Sequence, residues 1–151
     1  MKLLALCTCE RIIVDKQGSH SLINLMLNAE IQVPQQQQIP ANAVAPNQWF
    51  IYSMWIPSPE DVGRKFEQWY QVYWPDGEKF TENSIEFTQP DESIHQVTLQ
   101  VMGFPLGQPG RLRIITWLDQ GGHRVSDIIE TSILVKHLPQ QTASSIPAST
   151  R

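Results

Sequence analysis

The order of apolar and polar side chains along the chain follows a period of two better than a helical period. Over 21–33, Ile23, Leu25, Leu27, Ala29, Ile31 and Val33 fall on one side and Asn24, Asn28, Glu30 and Gln32 on the other. A strand produces this pattern because its successive side chains point to opposite faces. Related runs predict further strands over 3–14, 48–56, 66–74, 84–88, 95–102, 111–118 and 124–135. The separators are turn formers with a mechanism: in Pro75-Asp76-Gly77 proline presets φ and glycine supplies a positive one, and Gly121-Gly122 suits a tight hairpin. A helical turn is expected only near 58–64, where Pro59 after Ser58 resembles an N-cap followed by the first helical position. About eight short strands with almost no helix predict an all-β fold, a two-layer antiparallel β-sandwich of immunoglobulin-like or C2-like type.

Two segments stand apart from that core. Residues 34–47, with Pro34, Gln35 to Gln38, Pro40 and Pro46, are expected to form a long surface loop, and 139–151 a disordered tail rich in Gln, Ser, Thr, Ala and Pro. The sandwich would then occupy 1–138 as a single domain. At 151 residues a single core buries enough surface to stand without a structural metal or a disulfide framework. Charge narrows the function classes. Eleven basic against 15 acidic side chains give a net charge of −4, which excludes a polybasic nucleic-acid binder, and no apolar run reaches the length of a membrane span. The opening Met1-Lys2-Leu3-Leu4-Ala5-Leu6-Cys7 imitates a lipoprotein signal, but its apolar stretch is too short and Leu6 stands where a small residue belongs. The expectation is a mature chain that starts at Met1 and stays in the reducing cytoplasm.

A resemblance follows from four motifs. Leu3 to Glu10 as an opening strand, Ser21-Leu22-Ile23-Asn24 after a short turn, Trp74-Pro75-Asp76-Gly77 in mid-chain and Pro109-Gly110-Arg111-Leu112-Arg113 before the closing hairpin resemble a family of small, uncharacterised bacterial β-sandwich proteins. The likeness covers 3–136. It implies a fold and no chemistry, so no functional residue is carried over from it.

Candidate chemistry is sparse. Cys7 and Cys9 would share one strand face, but no C-x-x-C or H-x-x-x-H spacing supplies further metal ligands, so buried structural thiols and no cofactor are expected. His20, His95, His123 and His137 are scattered, and there is no G-x-S-x-G elbow or phosphate-binding glycine loop. The reading is therefore not an enzyme. Alternating strand direction would gather Asp15, Glu60, Asp61, Asp91, Glu92, Asp119 and His123 at one end, where Asp15, Asp61, Asp91 and Asp119 form a weak candidate for calcium. Against that, aspartates at turns serve local hydrogen bonds.

The aromatic strands are more distinctive. Over 48–56, Trp49, Ile51 and Trp55 alternate with Phe50, Tyr52, Met54 and Ile56, so both faces are apolar although a two-layer sandwich offers one inner face per strand. Bulk favours the second set for the interior. That leaves Trp49 and Trp55 outside, joined by Trp69 and Tyr73 if 66–74 is the neighbouring strand and buries Phe66, Tyr70, Val72 and Trp74. The expected function is a non-catalytic binding or assembly module that presents this aromatic face to a protein partner or to a second copy as a homodimer. The alternative is a small-ligand, carbohydrate or calcium-dependent module at the loop end.

Overall fold

The computed structural model describes residues 1–34 and 37–140. It is an all-β protein, with ten strands among the described residues: β1 (Lys2–Val14), β2 (His20–Leu25), β3 (Asn28–Val33), β4 (Val44–Ile56), β5 (Lys65–Tyr73), β6 (Lys79–Thr88), β7 (His95–Pro105), β8 (Gly110–Gln120), β9 (His123–Arg124) and β10 (Ile129–Pro139). They form two sheets facing each other as in a sandwich. One has the order β2-β1-β4-β7, and the other the order β3-β10-β8-β5-β6 with β9 added to β8, curled toward a half-barrel. One 3₁₀ turn, Pro59–Asp61, lies where the helical turn was expected, and the Ser58 backbone N–H and hydroxyl both donate to the Asp61 carboxylate at 2.8 and 2.7 Å.

Several expectations change. The stretch 124–135 is not one strand, since β9 ends at Arg124 and β10 begins at Ile129, each pairing with a different part of β8. The pattern over 21–33 is not one strand: Asn24 takes a φ of 54°, the Met26 N–H bonds to Thr8, and from Leu27 onward the chain pairs with β10. Hydrophobic alternation continues through this crossover from one sheet to the other, so periodicity alone joins two strands into one. The sandwich is also not purely antiparallel, because β3 runs parallel to β10. Finally, β4 begins at Val44, inside the expected loop, and Pro46 sits in the bulge between Ala45 and Gln48, where no ladder N–H is needed. Just before β4 the chain is tied down at Ala43, whose carbonyl accepts the N–H groups of Leu106 and Gly107. Only glycine fits at 107, since a Cβ there would come within 2.3 Å of the Pro40 carbonyl oxygen. Of the expected tail, Pro139 closes β10 against Val33 and the Gln140 N–H bonds to the Val33 carbonyl, while 141–151 lie outside the described residues.

The core lies between the sheets. Trp49, Ile51 and Trp55 of β4 meet Phe66, Tyr70 and Val72 of β5 and Leu112, Ile114 and Leu118 of β8. A polar cluster is sealed inside it. Gln68 accepts from Trp55 Nε1 at 2.9 Å and donates to Thr116 and to Ser53 at 2.9 Å each, Ser53 lies 3.1 Å from the Tyr70 hydroxyl, and Thr116 donates to the Trp69 carbonyl. These bonds tie β4 of one sheet to β5 and β8 of the other. A fully satisfied buried network favours one relative position of the two sheets over others.

Candidate interaction face

Pairing register decides which side chains share a surface. On the inner side of the larger sheet, Gln68 stands opposite Leu118, Tyr70 opposite Thr116 and Val72 opposite Ile114, all buried. The alternate positions therefore face outward. Across β5 and β8 they form four direct pairs, Glu67 with Asp119, Trp69 with Trp117, Gln71 with Ile115 and Tyr73 with Arg113. The neighbouring strands add Glu86 and Ser84 on β6 and Glu130 and Ser132 on β10.

The centre of this outer face is aromatic. The Trp69 and Trp117 rings are parallel within 7°, with centroids 6.1 Å apart. Beyond them the Arg113 guanidinium lies 5.8 Å from the Tyr73 ring centroid and donates two bonds to Glu130, at 3.0 and 2.9 Å. The bond from Arg113 holds the Glu130 carboxyl below its ordinary range, and the bond to Glu130 raises Arg113. Glu82 is similarly held down by its bond from Lys79 and a second from Gln71. At the far end Glu67 accepts from the Ser84 hydroxyl at 2.7 Å, and Lys65 pairs with Glu86 at 2.6 Å. Two polar atoms on this face are buried with no hydrogen-bond partner: the Trp69 indole N–H and Asp119 Oδ1. Such atoms are uncommon in folded proteins and each asks for an explanation.

The candidates named from sequence divide between two places. Trp69 and Tyr73 lie on this face, and Phe66, Tyr70, Val72 and Trp74 point inward as expected, but 66–74 is not the neighbour of 48–56: β5 pairs with β6 and β8 in the larger sheet and β4 with β1 and β7 in the smaller, so the four expected aromatics share no face. Trp49 and Trp55 do not lie on it. Both are at most 1% exposed, at the middle of the inter-sheet core, while Phe50, Tyr52, Met54 and Ile56 form the outer row of β4. The reversal has a physical cause. Ser53 belongs to the inner row, which makes that row look less apolar, but it faces Gln68 across the core, and each indole has an acceptor there: Gln68 for Trp55 and the Gly103 carbonyl, at 3.0 Å, for Trp49. Trp117, Arg113 and Arg111 were missed. The signal lay in β8, where Arg111, Arg113, Ile115, Trp117 and Asp119 alternate with a buried row, and only the pairing of β8 with β5 makes them neighbours of Trp69 and Tyr73.

Comparison with known families and with curated proteins gives no match. The chemistry of the face therefore rests on its own geometry.

Three of the four candidate aspartates, Asp15, Asp61 and Asp91, serve local tasks. Because β1 starts beside Ile56 and runs away from that end, Asp15 lies apart from the others, in the β1–β2 turn, where its carboxylate accepts the N–H groups of Gln17 and Ser19. Asp91 accepts the Ser93 N–H and hydroxyl, and the hydroxyl bond is the main cause of its lowered pKa. Asp61 is paired 2.9 Å from the Met1 ammonium. Burial alone would raise its pKa, but the bonds from the Ser58 N–H, the ammonium and the Ser58 hydroxyl outweigh it and hold the carboxyl at about 2. Among the described residues no three His, Cys, Asp or Glu side chains converge as metal ligands. Cys7 and Cys9 are free, and burial raises the pKa of both, which leaves weakly reactive thiols. In the core cluster, burial lifts the Tyr70 hydroxyl well above the usual tyrosine range, so it stays protonated and shut away from any substrate.

Proposed function

We propose that the chain is a non-catalytic binding or assembly module whose working surface is the outer face of β5 and β8. The observation that carries this reading is the Trp69–Trp117 pair, parallel and partly open on the outer sheet face and flanked by Tyr73 and Arg113. Tryptophan, tyrosine and arginine are the side chains enriched where proteins meet. The finer reading of the fold is immunoglobulin-like. Its support is strand order: β1, β4 and β7 take the places of strands A, B and E, and β5, β8 and β10 those of C, F and G. The likeness to small bacterial β-sandwich proteins stays with this reading on the four sequence motifs alone. A reducing, cytoplasmic setting suits the two free thiols.

The test compares wild type with Trp117→Glu. Both are expected to fold alike by circular dichroism, and only wild type should associate with itself in solution or retain a specific protein from an extract of the source organism. Equal association and equal capture by the two would overturn the reading. The parallel setting of the two indoles favours one second reading, stacking of a carbohydrate ring on the pair. A saturable tryptophan fluorescence change on titration with oligosaccharides, lost in Trp117→Ala, would put it first.

A further inference from the structure

The sequence of outward side chains along β8 is Arg111, Arg113, Ile115, Trp117, Asp119, and beside it on β5 runs Tyr73, Gln71, Trp69, Glu67. Read from opposite ends, these two rows complement themselves. Reversal about the level of Ile115 and Gln71 sets Arg111 against Asp119, Arg113 against Trp117, and Tyr73 against Trp69. A twofold axis lying between two copies of the face, and running across the strands at that level, performs this reversal while keeping β8 over β8 and β5 over β5. An axis along the strands would instead set Asp119 on Asp119 and Arg111 on Arg111.

Charge distinguishes the two arrangements. Arg111 makes a side-chain bond to the Ser132 hydroxyl at 3.2 Å and no ion pair among the described residues, and Asp119, although Arg124 of β9 stands opposite it, likewise makes no ion pair among them. The cation and the acceptor lie at opposite ends of one strand, eight residues apart, so neither satisfies the other within a chain. Two carboxylates, Glu82 and Glu130, would meet their own copies at the level of the axis, but Lys79 and Arg113 already pair with them. The apolar centre then closes between the two charged ends, with the guanidinium of Arg113 over the Trp117 ring of the second copy, a favourable pairing of cation and aromatic face.

We propose that the outer face of β5 and β8 is a homodimer interface in which two copies pack face to face with strands reversed, Arg111 of each meeting Asp119 of the other. This rests on the reading of that face as an interaction surface. At about 3.3 Å per residue and about 4.8 Å between strands, the rows from Arg111 to Asp119 across β6, β5, β8 and β10 span roughly 27 by 20 Å. That footprint is on the small side of the ~800 Å² per partner of a standard interface, the size class in which transient contacts fall.

The experiment is a charge swap on the full chain, followed by sedimentation from micromolar to millimolar concentration. Wild type should dimerise, and Arg111→Glu and Asp119→Arg should each weaken their own dimer by more than about tenfold, because each then sets like charges together twice. An equimolar mixture of the two variants should recover a dimer of wild-type affinity, since in the mixed dimer position 111 of each chain again faces the opposite charge at position 119 of the other. Circular dichroism of each variant alone controls for folding, and recovery in the mixture is itself a result that misfolded chains do not give. Unchanged dimerisation of the single variants, or no recovery on mixing, overturns the arrangement. A wild type that stays monomeric throughout overturns the homodimer, and the wider reading then stands or falls separately on whether Trp117→Glu loses a captured protein or a bound oligosaccharide.

Discussion

The outer faces of the two sheets are built from similar side chains and meet different fates. On the smaller sheet the outer row of β4 carries Phe50, Tyr52, Met54 and Ile56 beside Cys7 and Cys9 of β1. Tyr52 and Cys9 are buried, yet neither belongs to the core cluster between the sheets. Their cover comes from the chain itself. The His20 ring lies 5.6 Å from the Tyr52 ring, although His20 pairs with Val14, seven residues along β1 from the Cys7 that pairs with Tyr52. In a flat sheet those seven residues would separate the rings by roughly 23 Å. The β1–β2 hairpin therefore curls back over the smaller sheet. The larger sheet has no such flap among the described residues, and Trp69, Trp117, Ile115 and Tyr73 stay partly open. An aromatic face is thus a poor guide to an interface until the chain's own cover has been accounted for.

The largest expected effect separates core tryptophans from surface ones. Trp55→Ala removes a side chain buried to 1% and a donor to Gln68, and should cost about 3–5 kcal/mol in denaturant unfolding. Trp117→Ala loses mainly the stacking with Trp69, which is worth about 0.5–1.5 kcal/mol. Equal losses at the two positions would mean that Trp117 is covered in solution by something other than a dissociable partner.

The same two strands show what could be read from sequence. On β5 the alternation was legible because its outer row holds Glu67 and Gln71, so Phe66, Tyr70 and Val72 had to face inward. On β4 both rows are apolar, and parity alone carried no preference. Bulk pointed the wrong way, because the inner row contains Ser53, whose polarity is matched only by Gln68 across the core. That match joins residues fifteen positions apart in different sheets, which no local pattern encodes. The curl of the hairpin was hidden for the same reason, since it depends on His20 meeting Tyr52. Trp117 became part of the candidate face only through its register with Trp69.

A second prediction concerns the seam where the smaller sheet passes into the larger. Asp61, just before β5, holds the Met1 ammonium beside β1, and its carboxyl sits at about 2 against an ordinary 3.8. A lowered native pKa adds stability that is complete above the unfolded value and is lost as pH falls through the native one. The window is therefore about pH 4 to pH 2, and the contribution about 2 kcal/mol at neutral pH. Asp61→Asn should remove it, leaving unfolding free energies that converge with wild type near pH 2. Parallel curves that never converge would show that the carboxylate's charge is not what holds the seam.

The smallest effect tests the cover itself. His20→Ala removes one edge-on aromatic contact, and it also removes a buried Nδ1 that has no partner, so the two terms oppose each other and global stability should change by about 1 kcal/mol or less. Local opening should respond more. Cys9 is fully buried beneath the hairpin, whereas Cys7 is half-buried, so thiol labelling distinguishes fraying of the flap from unfolding of the sandwich. In wild type, Cys9 should label much more slowly than Cys7. In His20→Ala its rate should rise several-fold at an almost unchanged denaturation midpoint. If Cys9 labels no faster, the hairpin is held by contacts other than His20 on Tyr52. If it labels as fast as Cys7 already in wild type, the flap is open in solution and both outer faces are bare.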